Sequence, residues 1–146
     1  YNLMLFRLGG SRSSSEIQKS NISDIDKNSV KQKSFKEMIQ LAVEMKESLL
    51  KGNVKQFADL LHESWVLKKE MNNGITNELV EGCYNAARDL GALGGKLLGA
   101  GESGYLLIYA SPLYQKQIKG TLAKKGALQE MFKFNQNGLE VWSTKK

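Results

Sequence analysis

The chain holds one cysteine, Cys83, and one histidine, His62, among its 146 residues. A lone thiol excludes a disulfide framework or a cysteine-based metal site within the chain, and it accords with a reducing, cytoplasmic setting. One histidine cannot build a histidine-rich metal centre by itself. No apolar run approaches the roughly 20 residues needed to span a bilayer, and no signal peptide is visible, so a membrane partner is not expected. An initiator methionine is also missing: the chain opens on Tyr1-Asn2-Leu3-Met4-Leu5-Phe6, inside what reads as a core strand. It is expected to be a fragment.

What is present describes an ordinary globular domain. A mass of 16.3 kDa, 41% hydrophobic and 25% charged residues suit one domain with a single sizeable core. The formal charge of +6 and pI near 9.4 attract phosphate-bearing partners in general, whether nucleotide, sugar phosphate or nucleic acid. The pairs Lys68-Lys69, Lys124-Lys125 and Lys145-Lys146 read as solvated faces.

The densest signal lies between Gly91 and Ala110, which includes glycines at 91, 94, 95, 99, 101 and 104 between apolar segments. Ordering glycine costs conformational entropy, so such a cluster points to positive φ or to close backbone approach. Gly99-Ala100-Gly101-Glu102-Ser103-Gly104 satisfies a bare G-x-G-x-x-G pattern. A dinucleotide site, however, needs a helix to open there, and this pattern runs into the strand-like Tyr105-Leu106-Leu107-Ile108-Tyr109. A glycine hairpin between two core strands is the plainer reading.

Around that stretch the elements follow in order. Asn2 to Leu8 reads as a buried strand closed by Gly9-Gly10. Residues 11–33 read as a polar loop with scope for motion. Ser34-Phe35-Lys36-Glu37 is a capping box that starts a helix, with Phe35, Met38, Ile39, Ala42, Met45 and Leu49 as a core stripe ending at Gly52. A second helix opens at Asn53, turning Val54, Phe57, Ala58, Leu61 and Trp65 inward. A third starts at Thr76 or Asn77 and presents Leu79, Val80, Cys83, Tyr84, Ala87 and Leu90. Strands are expected over 93–98 and 105–109.

Ser111-Pro112 then caps and starts a fourth helix, with Leu113, Tyr114, Gln117, Ile118 and Leu122 inward. Two strands, 128–134 and 139–142, joined by an Asn-Gly turn, close the chain. Helices segregated from paired strands define an α+β fold: an antiparallel sheet of about four strands with helices on one face, in ferredoxin-like split βαβ order.

The run G-A-L-G-G-K-L-L-G-A-G-x-x-G-Y-L-L from Gly91 resembles the third, glycine-rich motif of the GHMP small-molecule kinases. It is nearest the sugar-kinase branch acting on D-glycero-D-manno-heptose 7-phosphate at the anomeric hydroxyl. Gly10-Ser11-Arg12-Ser13-Ser14-Ser15-Glu16-Ile17 and Leu61-His62-Glu63-Ser64-Trp65-Val66-Leu67-Lys68-Lys69 resemble the same branch. The likeness extends over nearly all of residues 1–146, as a C-terminal domain of ferredoxin-like type.

That resemblance implies a set of roles. The phosphate loop and catalytic aspartate belong to an N-terminal domain with no counterpart here, so catalytic residues are expected to be absent and the isolated chain inactive. ATP and magnesium would be held mainly by that missing domain. Gly99, Ala100, Gly101, Gly104 and the amides of Glu102 and Ser103 would support the phosphate site. Glu102 and Ser103 stand where the family pattern usually carries glycine, and a carboxylate repels phosphate unless magnesium or a lysine intervenes.

Lys96 could donate to phosphate or cap the loop, or simply face solvent. Arg12 could take a sugar phosphate in bidentate fashion with Ser11, Ser13 and Ser14, against the plain reading of a polar loop. The implied partners are a sugar phosphate, ATP and the N-terminal domain, and a homodimer is open. An alternative from another class is a basic α+β nucleic-acid module stacking bases on Tyr105 and Tyr109, although the run carries no signature of a known RNA module. A regulatory or dimerising unit is a third. His62 reads as a structural histidine and Trp65 as packing.

Overall fold

The computed structural model describes residues 2–9, 29–71, 74–99, 104–135, 137–138 and 141. Its elements run β1 (Leu3–Leu8), α1 (Ser29–Leu50), α2 (Val54–Met71), α3 (Glu78–Asp89), β2 (Gly94–Leu97), β3 (Gly104–Tyr109), α4 (Pro112–Lys124) and β4 (Leu128–Glu130). The strands form one sheet in the order β2-β3-β1-β4, antiparallel at every pairing. An α+β split βαβ arrangement is therefore what the chain adopts.

β1 sits at the centre because both its edges are paired, Leu3 to Leu8 against Tyr109 to Gly104 and Leu5 to Arg7 against Glu130 to Leu128. Its period-two pattern sends Met4, Phe6 and Leu8 into the core and leaves Arg7 exposed. Leu106 and Ile108 of β3 continue that face, covered by Val80, Cys83 and Ala87 of α3, Ile118 and Leu122 of α4, and Trp65 of α2. A smaller cluster joins Tyr109, Leu107 and Leu3, on the opposite parity of the sheet, to Ala58 and Leu61 of α2 and Met45 of α1.

Helix ends follow local chemistry. The Asn53 side chain accepts from the Gln56 amide at 3.2 Å, and that of Asn77 accepts from the Val80 amide at 3.0 Å, so each satisfies an orphan donor of a first turn. Gly91 and Gly126 end α3 and α4 at φ 99° and 89°, where a Cβ would be strained.

Four expectations change. α1 begins at Ser29, so Ser34 lies inside the helix and no capping box starts it; residues 29–33 join α1 rather than the polar loop. The α1 stripe is rotated: Phe35, Ile39 and Leu49 are exposed, as is Ala42, while Met38, Leu41, Met45 and Ser48 turn toward α2. On α4, Leu113, Tyr114 and Gln117 are exposed and only Ile118 and Leu122 are buried, because one contact line four residues apart meets the sheet; Ser111 makes no side-chain cap. β4 stops at Glu130, where its pairing with β1 ends at Leu5.

Candidate functional site

The site is built on a close approach of helix to strand. A Cβ on Gly94 would lie 2.0 Å from the Ala58 carbonyl oxygen, and one on Gly95 2.5 Å from that of Leu107. Only glycine lets the α2 backbone press against β2 at that height. The hairpin beyond closes with the Leu98 amide on the Tyr105 carbonyl at 2.8 Å, and Gly99 takes φ 81°. Leu98 and Gly99 are at the surface, and Gly104 opens strand β3 instead of a helix.

The approach brings two lysines together. Lys96 Nζ donates to Ser64 Oγ at 2.9 Å, and Lys68 Nζ donates to the carbonyls of Leu97 at 3.2 Å and Gly99 at 2.8 Å. Ser64 and Lys68 are four residues apart and share one face of α2. Burial, followed by the charge of Lys96, lowers the Lys68 ammonium to about 8; burial also lowers Lys96. Among the described residues no carboxylate pairs with either ammonium. The arrangement concentrates positive charge beside a glycine turn, and Lys68 stitches that turn to α2.

The flanking network is structural. Lys69 pairs with Glu81 at 3.0 Å, Thr76 Oγ1 donates to the same carboxylate at 2.7 Å, and Lys69 sits 5.5 Å from the Trp65 ring. His62 Nδ1 and the Tyr84 hydroxyl are 2.5 Å apart, joining α2 to α3. Burial, then Arg88 and Lys69, lower the imidazole, while burial pushes Tyr84 up to about 12. The neutral histidine is thus the form the fold prefers. Buried Trp65 Nε1 has no hydrogen-bond partner among the described residues.

Two cavities lie elsewhere. One of about 440 Å³ runs between α1 and α2, lined in part by Leu41, His62 and Leu67. The other, about 710 Å³, lies between the start of β1 and the segment after β4, with Leu3, Leu5, Phe132 and Phe134 among its walls. Neither is lined by Lys68, Lys96 or Gly99.

Of the residues singled out from sequence, Lys96, Gly99 and Gly104 come together at the hairpin. Ala100, Gly101, Glu102 and Ser103, like Ser11, Arg12, Ser13 and Ser14, lie outside the described residues. Lys68 was expected on a solvated face and is half-buried instead, because it continues the stripe of Leu61, Ser64 and Trp65. That spacing was the available signal. No group of three or more His, Cys, Asp or Glu that could hold a metal exists among the described residues, and none of their helices is long and apolar enough to cross a membrane.

Sheet order and helix placement define an α+β domain of the split βαβ class, carrying a glycine hairpin with two half-buried lysines beside it. The family described as GHMP kinases C terminal matches residues 45–128, more than half of the chain, and the chain belongs to that family. It is 31% identical over 103 residues to the D-glycero-alpha-D-manno-heptose 7-phosphate kinase of Campylobacter jejuni, covering 70% of this chain and 30% of that protein. A putative sugar kinase from Campylobacter jejuni superposes with a TM-score of 0.63 at 26% identity, over 97% of this chain and 38% of that one. Mevalonate kinase of L. major, at 22% identity and TM-score 0.72 over 84% and 38%, shares the fold. The chain spans about a third of the length of these relatives.

Proposed function

We propose that this domain is the C-terminal part of an ATP-dependent sugar kinase whose acceptor is D-glycero-D-manno-heptose 7-phosphate, phosphorylated at the anomeric hydroxyl. The observation carrying this reading is the 31% identity to a heptose 7-phosphate kinase over most of the chain. In-line phosphoryl transfer needs positioned donors on the phosphates and charge neutralisation more than covalent chemistry from the protein.

The donors found here fit a nucleotide phosphate: Lys96 at the hairpin base, with the small residues Gly99 and Gly104 admitting a close neighbour. ATP would supply the transferred group and magnesium would offset its charge. Ala100, Gly101, Glu102 and Ser103 belong to the same support, and Ser11, Arg12, Ser13 and Ser14 are assigned to the sugar phosphate. The metal and the catalytic base are assigned to an N-terminal domain, so this chain alone is expected to be inactive.

The test joins this chain to the N-terminal domain of the Campylobacter jejuni relative and follows magnesium-ATP-dependent phosphorylation by ³¹P NMR. Product is expected with D-glycero-D-manno-heptose 7-phosphate, and not with mevalonate. Turnover of mevalonate in preference to the heptose would reassign the acceptor. Turnover by the 146-residue chain alone would overturn the division of labour.

A further inference from the structure

Helix α1 carries more apolar surface than its one helical neighbour covers. Met38, Leu41, Met45 and Ser48 turn toward α2, whereas Phe35, Ile39, Val43 and Leu50 stand 43%, 53%, 43% and 79% exposed. At helical spacing these four residues fall on one outward line with Ala42 beside it, a stripe about 22 Å long at 1.5 Å per residue. A continuous apolar stripe on an otherwise polar surface marks a place of contact.

The stripe is complementary to itself. When two copies of α1 lie antiparallel across a two-fold axis at the Ala42–Val43 peptide, Phe35 faces Leu50 of the second copy and Ala42 faces its Val43. Ile39 faces its Lys46, whose methylene stem can pack while the ammonium reaches water. Lys36 and Glu47 lie on the same edge of the stripe, toward opposite ends. A two-fold axis brings like edges together, so Lys36 meets the second copy's Glu47 with an offset of about 3 Å along the helix, and the pair occurs twice. Among the described residues Lys36 has no carboxylate partner. Glu47 holds the exposed Lys51 at 3.2 Å, a surface pair of little worth that leaves the carboxylate open to another cation.

We propose that the outer face of α1 is a homodimer interface, seating α1 of a second copy antiparallel on Phe35, Ile39, Val43 and Leu50 with Lys36 against Glu47 at both ends. A partner charged with one sign would set Lys36 or Glu47 against its like, whereas a second copy satisfies both. One helix face lies at the small end of specific interfaces, below about 1,200 Å² in total, so a dissociation constant of about 10–100 μM is expected. Denaturation at about 1 μM therefore reads the monomer, in which Ile39 is exposed. The interface does not rest on the kinase reading.

The test is sedimentation equilibrium of the 146-residue chain from about 5 to 500 μM, which brackets that constant. Mass should climb from 16.3 kDa toward twice that value. Ile39→Lys, in the stripe, should weaken association about tenfold or more. Lys36→Glu alone or Glu47→Lys alone should weaken it about threefold to tenfold, since each sets like charges together twice. Combining Lys36→Glu with Glu47→Lys restores opposite charges and should return affinity to within about threefold of the starting chain. Lys119→Glu, exposed on α4, is the control and should change it by less than about threefold.

Circular dichroism of each variant checks that the helices persist; should Ile39→Lys lose them, the charge swap decides alone. A chain that stays at 16.3 kDa throughout, association indifferent to Ile39→Lys in a folded variant, or a double swap no better than the single ones would each overturn the interface. The fusion to the N-terminal domain of the Campylobacter jejuni relative should dimerise with the same dependence on Lys36 and Glu47. Loss of association on fusion would assign this face to that domain and overturn the proposal, whereas a dimeric fusion without kinase activity would overturn only the function proposed above.

Discussion

Helices α1 and α3 carry apolar residues at similar spacing, yet they end in different surroundings. On α3, Val80, Cys83 and Ala87 are fully buried, because the helix lies across the even-numbered face of the sheet with α4 beside it. On α1, Phe35 and Ile39 remain 43% and 53% exposed, because the helix leans mainly on α2 and rotates to offer it Met38, Leu41, Met45 and Ser48. Periodicity identifies an apolar face, but burial needs a partner wide enough to cover it. α3 has a sheet, whereas α1 has one neighbouring helix.

The largest effect that would break this contrast comes from the junction between α2 and the sheet. Gly94→Ala drives a Cβ into the Ala58 carbonyl, which is backbone and cannot step aside; a loss of about 3 kcal/mol is expected in urea denaturation. Next comes the comparison itself. Val80→Ala should cost about 2 kcal/mol through lost burial and the space left behind, while Ile39→Ala should stay within about 0.5 kcal/mol. Equal losses at the two positions would mean that α1 is covered in solution.

A smaller effect tests the bond between α2 and α3. The folded state lowers His62 below its ordinary value of 6.5, so protons bind the unfolded chain more readily. The stabilisation is therefore complete above about pH 6.5 and declines as pH falls below it. Denaturation midpoints measured from pH 8 to 5 should show that decline, and His62→Gln should flatten it; a rise in stability on acidification would contradict the assignment. The smallest effect is expected at Arg7, whose 2.9 Å pair with Glu130 is exposed on both sides; Arg7→Ala should cost no more than about 0.5 kcal/mol.

The hairpin site was partly legible before any coordinates. Glycines at 94 and 95 signalled close approach, and the structure supplies the neighbour, the Ala58 carbonyl. The strand-like run after Gly104 argued against a dinucleotide site, in agreement with β3 opening there. Lys68 escaped notice because a Lys-Lys pair late in a helix resembles a solvated end. Its neighbour Lys69 reaches Glu81, whereas Lys68 turns toward Leu97 and Gly99, a difference of one helical step.

For the described residues, the sequence by itself determined the elements and most of their ends, because caps, glycine turns and apolar spacing act within a few residues of one another; the strand expected over 139–142 lies, but for Val141, outside them. The strand alternation in β1 and the stops at Gly91 and Gly126 are of this kind. Only the tertiary structure decided which helix faces are covered and which lysines lose their water. Those outcomes rest on contacts between residues far apart in the chain, such as Lys96 with Ser64 and Lys68 with Gly99, which local spacing does not encode.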